Sequence, residues 1–86
     1  MTLALIATRK IENADRYIPE NCTGVLTNIR GLTAPEIEVI YDTDLDEIIR
    51  RADYVTALCS RKTKKRPTII ARCKRYAKSF DFFFYD

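Results

Sequence analysis

Apolar positions along this chain fall into two rhythms, short unbroken runs and helically spaced stripes, and the two alternate. "LALIAT" at 3–8 is apolar almost throughout and bounded by charge, the pattern of a strand buried on both faces. Ile11, Ala14 and Ile18 then recur at helical spacing and predict a short helix that Pro19 ends. Runs over 23–28 and 37–42 predict a second and a third strand, and Gly31 and Pro35 between them give turn character. Leu45, Ile48, Ile49 and Ala52 stand at i, i+3, i+4 and i+7, one apolar stripe of a helix. Thr43 with Asp46 forms a capping-box pattern at its start, while Asp44, Asp46 and Glu47 load the first turn and Arg50 and Arg51 the last, as the helix dipole favours. A fourth strand is expected over 53–59. Pro67 then opens a helix whose buried side is Ile69, Ile70, Cys73, Tyr76 and Ala77, and an aromatic strand over 80–86 closes the chain.

Strands alternating with helices predict an α/β fold: a small open, mostly parallel, Rossmann-like sheet of about five strands with helices on its faces, in one domain over 1–86. One connection resists this scheme. Only eight residues, 29–36, separate the second and third strands, whereas a parallel crossover usually takes about a dozen or more. That crossover helix is therefore shortened or missing, and strand 37–42 either runs antiparallel at an edge or follows a cramped turn. Part of one sheet face is then expected to lie bare, with a second copy of the chain covering it. A chain of 86 residues buries only about 60% of its unfolded surface, which also favours self-association.

Net charge is +3, but its distribution says more. Between Ser60 and Lys78 nine residues are basic and none is acidic, which leaves six basic and all twelve acidic residues elsewhere, a net of −6. The densest stretch is "CSRKTKKRPT", at the junction of the fourth strand and the last helix. In open α/β sheets ligands dock at the carboxyl ends of strands, and a helix start offers N–H groups to an anion. Lys62, Thr63, Lys64 and Arg66 are thus candidate ligand-binding residues. Arg9 ends the first strand and Arg30 and Gly31 the second, so they are expected to face the same crevice. Phosphate-bearing ligands, a nucleotide among them, are the leading expectation. Nucleic-acid binding through the basic 60–78 face is the first rival, and a purely structural self-associating domain the second.

Catalysis is the least favoured class. The chain has no histidine, which removes the commonest general base and with it Cys-His and Ser-His-Asp chemistry. Cys22, Cys59 and Cys73 are widely spaced, with no CxxC pair, so neither a zinc site nor a disulfide framework is implied and no cofactor is expected. Asp42 and Asp44 fit capping better than an acid–base pair. The aromatics of 80–85 fit core or dimer contact better than base stacking. The apolar run at the N-terminus is too short for a signal core or a membrane span, so the expectation is a cytoplasmic protein with no membrane partner.

The order of motifs resembles the SLOG superfamily of small Rossmann-like nucleotide-binding domains, which includes DNA-processing protein A and the Lonely Guy phosphoribohydrolases. Short bacterial members begin with a strand ending in Gly-Ser-Arg, where this chain has "LIATRK"; they continue through a Tyr-Ile-Pro segment, here "RYIPENCTGVLTNIRG", and later show an Ala-Asp-hydrophobic strand, a Lys-Ser-Arg-Gly-Thr loop and a long helix, here "RRADYVTALCSRKTKKRPTIIARCKRYAK". The resemblance implies a nucleotide-binding ancestry. This chain departs from it at the glycines: Ala7, Thr27 and Asn28 occupy glycine positions, Lys65 and Arg66 replace the Gly-Thr pair, and the Pro-Gly-Gly motif of the hydrolases is absent. Glycine lets successive N–H groups turn toward a phosphate, so a standard dinucleotide site is not expected.

Overall fold

A computed structural model describes residues 1–64 and 66–85, with the backbone alone at Arg66. The elements are β1 (Thr2–Ala7), a single 3₁₀ turn (Ala14–Tyr17), β2 (Gly24–Thr27), β3 (Glu38–Tyr41), α1 (Leu45–Arg51), β4 (Tyr54–Ser60), α2 (Arg66–Tyr76) and β5 (Phe80–Tyr85). The five strands form one sheet in the order β3-β2-β1-β4-β5, and every neighbouring pair is parallel. The fold is the small α/β Rossmann-like sheet that the sequence predicts, wholly parallel. The last residue of the expected 80–86 strand lies outside the described residues.

The sheet grows outward from β1 to β3, then the chain crosses back to lay β4 on the other side of β1. Right-handed crossovers put the connections of these two halves on opposite faces. The side chains bear this out. Successive strand residues point to opposite faces; Ala4 and Ile6 join Ile48, Ile49 and Cys73 under α1 and α2, whereas Leu3 and Leu5 join Ala14 and Cys22 beneath the β1–β2 segment. All four of these β1 residues are fully buried. Two covered faces are the reason the run is apolar without alternation.

Three expectations are corrected. The helix over 11–18 is only a four-residue 3₁₀ turn. Asn13 sits left-handed at φ 56° and Pro19 follows closely, so the segment closes with i→i+3 bonds alone, Arg16 N–H to the Asn13 carbonyl and Ile18 N–H to that of Asp15. The cap of α1 is Asp44 rather than Thr43: its carboxylate accepts from Glu47 N–H at 3.2 Å, while Asp42 accepts from Asp44 N–H at 2.9 Å. Asp44 with Glu47 is the Asp-x-x-Glu pattern one residue downstream of the predicted box.

The third concerns the sheet face beside the short connection, where the expected missing helix and cramped turn are both found. Strand β3 is parallel to β2, and no helix links them. The link works because both strands have only four residues: the chain must return only about 13 Å at ~3.3 Å per residue. It begins with a turn closed by Leu32 N–H on the Ile29 carbonyl at 3.4 Å. Gly31 takes φ +83° in that turn, a geometry that costs an L-residue with a Cβ. Ile29, Leu32 and Ile37 pack down onto the sheet in place of the missing helix. The expected bare face is thereby largely covered by the loop itself. Exposed large apolar side chains fall instead on the two edge strands, Ile40 and Tyr41 on β3 and Phe83 and Phe84 on β5.

Candidate functional site

Parallel strands place all their carboxyl ends along one edge of the sheet. Arg9, Arg30 and the turn after β4 therefore share that edge, and the topological switch point lies between β1 and β4. What this edge can bind depends on its backbone N–H groups, and those of Ala7 to Arg9, Ile29 and Ser60 to Thr63 are engaged. Asn28 clamps Ala7 from both sides, its Oδ1 accepting from Ala7 N–H at 2.9 Å and its Nδ2 donating to the Ala7 carbonyl at 3.0 Å. Thr27, fully buried, donates Oγ1–H to the Leu5 carbonyl at 2.7 Å and accepts from Ile29 N–H at 2.9 Å. The Thr8 hydroxyl accepts from Ser60 N–H at 2.9 Å. The Tyr85 hydroxyl accepts from Arg9 N–H at 3.1 Å and donates to the Arg9 carbonyl at 2.9 Å. After β4, Arg61 N–H bonds the Tyr85 carbonyl and Thr63 N–H the Ser60 carbonyl, while Lys62 N–H bonds Ser60 Oγ at 3.2 Å.

Thr27 and Asn28 thus satisfy main-chain groups of the first two strands from within, and the Ala7 and Ile29 amides they hold are not turned toward an anion. What remains for an anion is side-chain charge. A cavity of about 560 Å³ opens beside the ends of β1 and β2, lined by Arg9, Lys10, Asn28 and Arg30 over the apolar floor of Ala7, Ile11 and Ile29. Among the described residues no carboxylate lines it. Past Arg30 a smaller recess of about 240 Å³ reaches Gly31, Thr33 and Asp15. The Arg30 guanidinium also lies 5.6 Å from the ring centre of Tyr41, a cation–π contact that holds it toward β3.

Of the candidate residues, Arg9 and Arg30 come together in one cavity and Gly31 adjoins it. Lys62, Thr63 and Lys64 stand on the same sheet edge, in the turn beyond β4, and are not part of that cavity's lining. Arg66 contributes its backbone as the first residue of α2; its side chain, like all of Lys65, lies outside the described residues. Sequence reasoning missed Lys10, although "TRK" showed it beside Arg9. It also missed Tyr85, 76 positions from Arg9, for which no local signal exists.

The basic stretch of α2 is partly turned inward. Arg72 pairs with Asp46 of α1 at 3.4 Å, and Tyr76 is flanked by Arg50 of α1 at 4.3 Å and by Arg75 at 5.4 Å. Among the described residues no helix is long and apolar enough to cross a membrane. The three cysteines are buried and form no disulfide. Burial pushes the Cys73 thiol up to about 11, with neighbouring Cys59 adding to the shift. A thiol that holds its proton more tightly when folded contributes stability in full below its unfolded value, near 9, and loses that contribution as pH rises through about 11. Urea midpoints are accordingly expected to fall across that alkaline window in the wild type and less steeply in Cys73→Ala.

The chain matches no protein-family model, no curated protein and no solved structure.

Proposed function

We infer that the carboxyl edge of the sheet binds a phosphate-bearing ligand, a nucleotide in the leading case, through side-chain cations and without chemistry on it. One observation carries this reading: Arg9, Lys10 and Arg30 line a single cavity whose lining, among the described residues, holds no carboxylate, Asp15 standing in the adjoining recess. Three cations converging at the carboxyl ends of β1 and β2 in a parallel sheet is an arrangement suited to an anion. The engaged amides argue for a particular kind of binding. Exposed arginine and lysine ends on mobile stems recognise charge more than shape, so affinity is modest, salt-dependent and tolerant of ligand type. Descent from a SLOG-like nucleotide-binding domain belongs to the same proposal. Its support is the order of motifs along the chain and the parallel α/β sheet they form; the absent β2–β3 helix and the side chains at glycine positions are departures from that pattern.

ATP and inorganic pyrophosphate test it. Titrated into the full chain at low ionic strength, each is expected to raise the melting temperature as a ligand of the folded state does, and the shift is expected to shrink as salt is added. The double variant Arg9→Ala/Arg30→Ala is expected to lose the shift. Lys62→Ala/Lys64→Ala is expected to keep most of it, because those residues stand outside the cavity. No shift at millimolar pyrophosphate, or a shift undiminished in the Arg9/Arg30 variant, overturns the reading.

A further inference from the structure

An independent observation concerns the two edges of the sheet. We propose that β5 of one copy of this chain receives β3 of the next, so that copies join head to tail into a continuous parallel sheet. Three features of the edges carry the argument.

The first is that β5 lacks the usual guards of an edge strand. Phe80–Tyr85 contains no lysine, proline or glycine, and its one charge, Asp81, is bonded to the Tyr54 hydroxyl. Natural edges of this length normally carry such devices to prevent pairing.

The second is complementary cover. On the face bearing the helices, α1 packs on β1 and α2 on β4. The Arg72–Asp46 pair and the Arg50–Tyr76 contact fix which flank of α2 faces α1. At helical spacing, Ile70 and Lys74 then project on the opposite flank, toward the β5 edge. On that same face β3 is uncovered, and Ile40 and Glu38 line a recess of about 280 Å³. On the other face the relation reverses. There β5 has the gap, a groove of about 440 Å³ holding Phe83, Tyr17 and Tyr54, and β3 has the cover, Tyr41 and the loop residues before it. Cover at one edge meets a recess at the other, α2 on one face and the loop on the other, when β5 meets β3, with Phe84 left exposed on the helix face.

The third is charge. Lys74 and Arg16 flank the β5 edge, Glu36 and Glu38 the β3 edge. Arg51, which also lines the β3 recess, and Arg30, held against Tyr41 on the other face, are like charges to Lys74 and Arg16, so the pairing rests on Glu38, which lines the recess beside Ile40. Pairing β5 with a second β5 in antiparallel fashion sets one cationic α2 against another, which opposes a closed dimer through that edge. A heterologous contact of unlike edges does not close on itself, so the assembly is open-ended.

Sedimentation velocity on the full chain tests this, with far-UV circular dichroism as the check on folding. Wild-type mass is expected to climb with concentration without a plateau at dimer. Ile40→Lys blocks the β3 edge and Phe83→Lys the β5 edge, and each is expected to weaken association about fivefold or more, as loss of an apolar interface anchor does. An equal mixture of the two blocked proteins is expected to form a dimer and stop, since each supplies the edge the other lacks. If Phe83→Lys disturbs the fold through its contact with Tyr17, the charge pair decides: Glu38→Lys and Lys74→Glu each weaken assembly a few-fold, and the double variant recovers it. A wild type that stays monomeric, a plateau at dimer, or a mixture and a double variant that recover nothing overturns the proposal.

Discussion

Replacing Ile49 by alanine is expected to cost about 2–5 kcal/mol, the range for truncating a large buried aliphatic. Ile49 is fully buried, at the centre of the layer where α1 meets Ala4, Ile6 and Val55 of the sheet. A domain of 86 residues holds only about 4–13 kcal/mol in total at the usual stability per residue. This one substitution therefore removes a large part of the whole and unfolds the chain outright if its stability lies at the lower end. Urea unfolding followed by circular dichroism measures it, and Ile49→Val, which removes one methylene, is expected to cost about 0.5–1.5 kcal/mol. A loss under about 1 kcal/mol for Ile49→Ala would mean that α1 settles into the space left behind and that this layer is looser than its burial implies.

The second large effect belongs to Thr27. Thr27→Val keeps the shape of the side chain and removes its hydroxyl. The part-buried Ile29 N–H then loses its acceptor, and the buried Leu5 carbonyl loses a donor. Stranding a buried polar group costs about 1–3 kcal/mol, so a loss of about 2–3 kcal/mol is expected. Thr27→Ser keeps the hydroxyl and is expected to retain most of the stability. Amide hydrogen exchange supplies the specific readout: the Ile29 amide is expected to exchange much faster in Thr27→Val and near the wild-type rate in Thr27→Ser. A valine variant as stable as wild type, with serine less stable, would show that burial of the methyl, and not the bond to the main chain, is what the position requires.

The same residue shows where sequence reasoning reached its limit at the site. Thr27 and Asn28 read as lost glycines, positions whose departure from a phosphate-binding pattern signals only a deficit. In the fold they are positive structural elements. Asn28 takes over both polar groups of Ala7, and Thr27 ties β1 to the start of the next turn. A side-chain hydrogen bond to main chain some twenty positions away leaves no periodicity behind, and the partner's own side chain plays no part in it, so nothing in "LIA" or "LTN" announces the bond. Arg9 and Arg30 were legible as strand-end cations because a parallel sheet sends every carboxyl end to one edge. Their separation from Lys62 and Lys64 was not legible, because it depends on which loops fold over the edge and which stand clear of it.

For the fold, residue order was enough wherever burial repeats along the chain. The unbroken apolar run over 3–7 fixes β1 as a strand covered twice, and Leu45, Ile48, Ile49 and Ala52 fix α1, because one-dimensional spacing maps directly onto the geometry of a strand or a helix turn. Charge order likewise fixed the polarity of the molecule, with its cations gathered between Ser60 and Lys78. The direction of β3, the reduction of the first helix to a 3₁₀ turn and the closing of the amides at the switch point were decided only in three dimensions. Each depends on distances between segments remote in the chain: how far the loop must return beside a four-residue strand, where Asn13 and Pro19 let the backbone go, and which hydroxyl arrives at Arg9 from the last strand. Local pattern selects the elements because each element's energy is local. The edges and the cavity belong to their assembly, and the chain acquires them only when β1 is flanked on both sides.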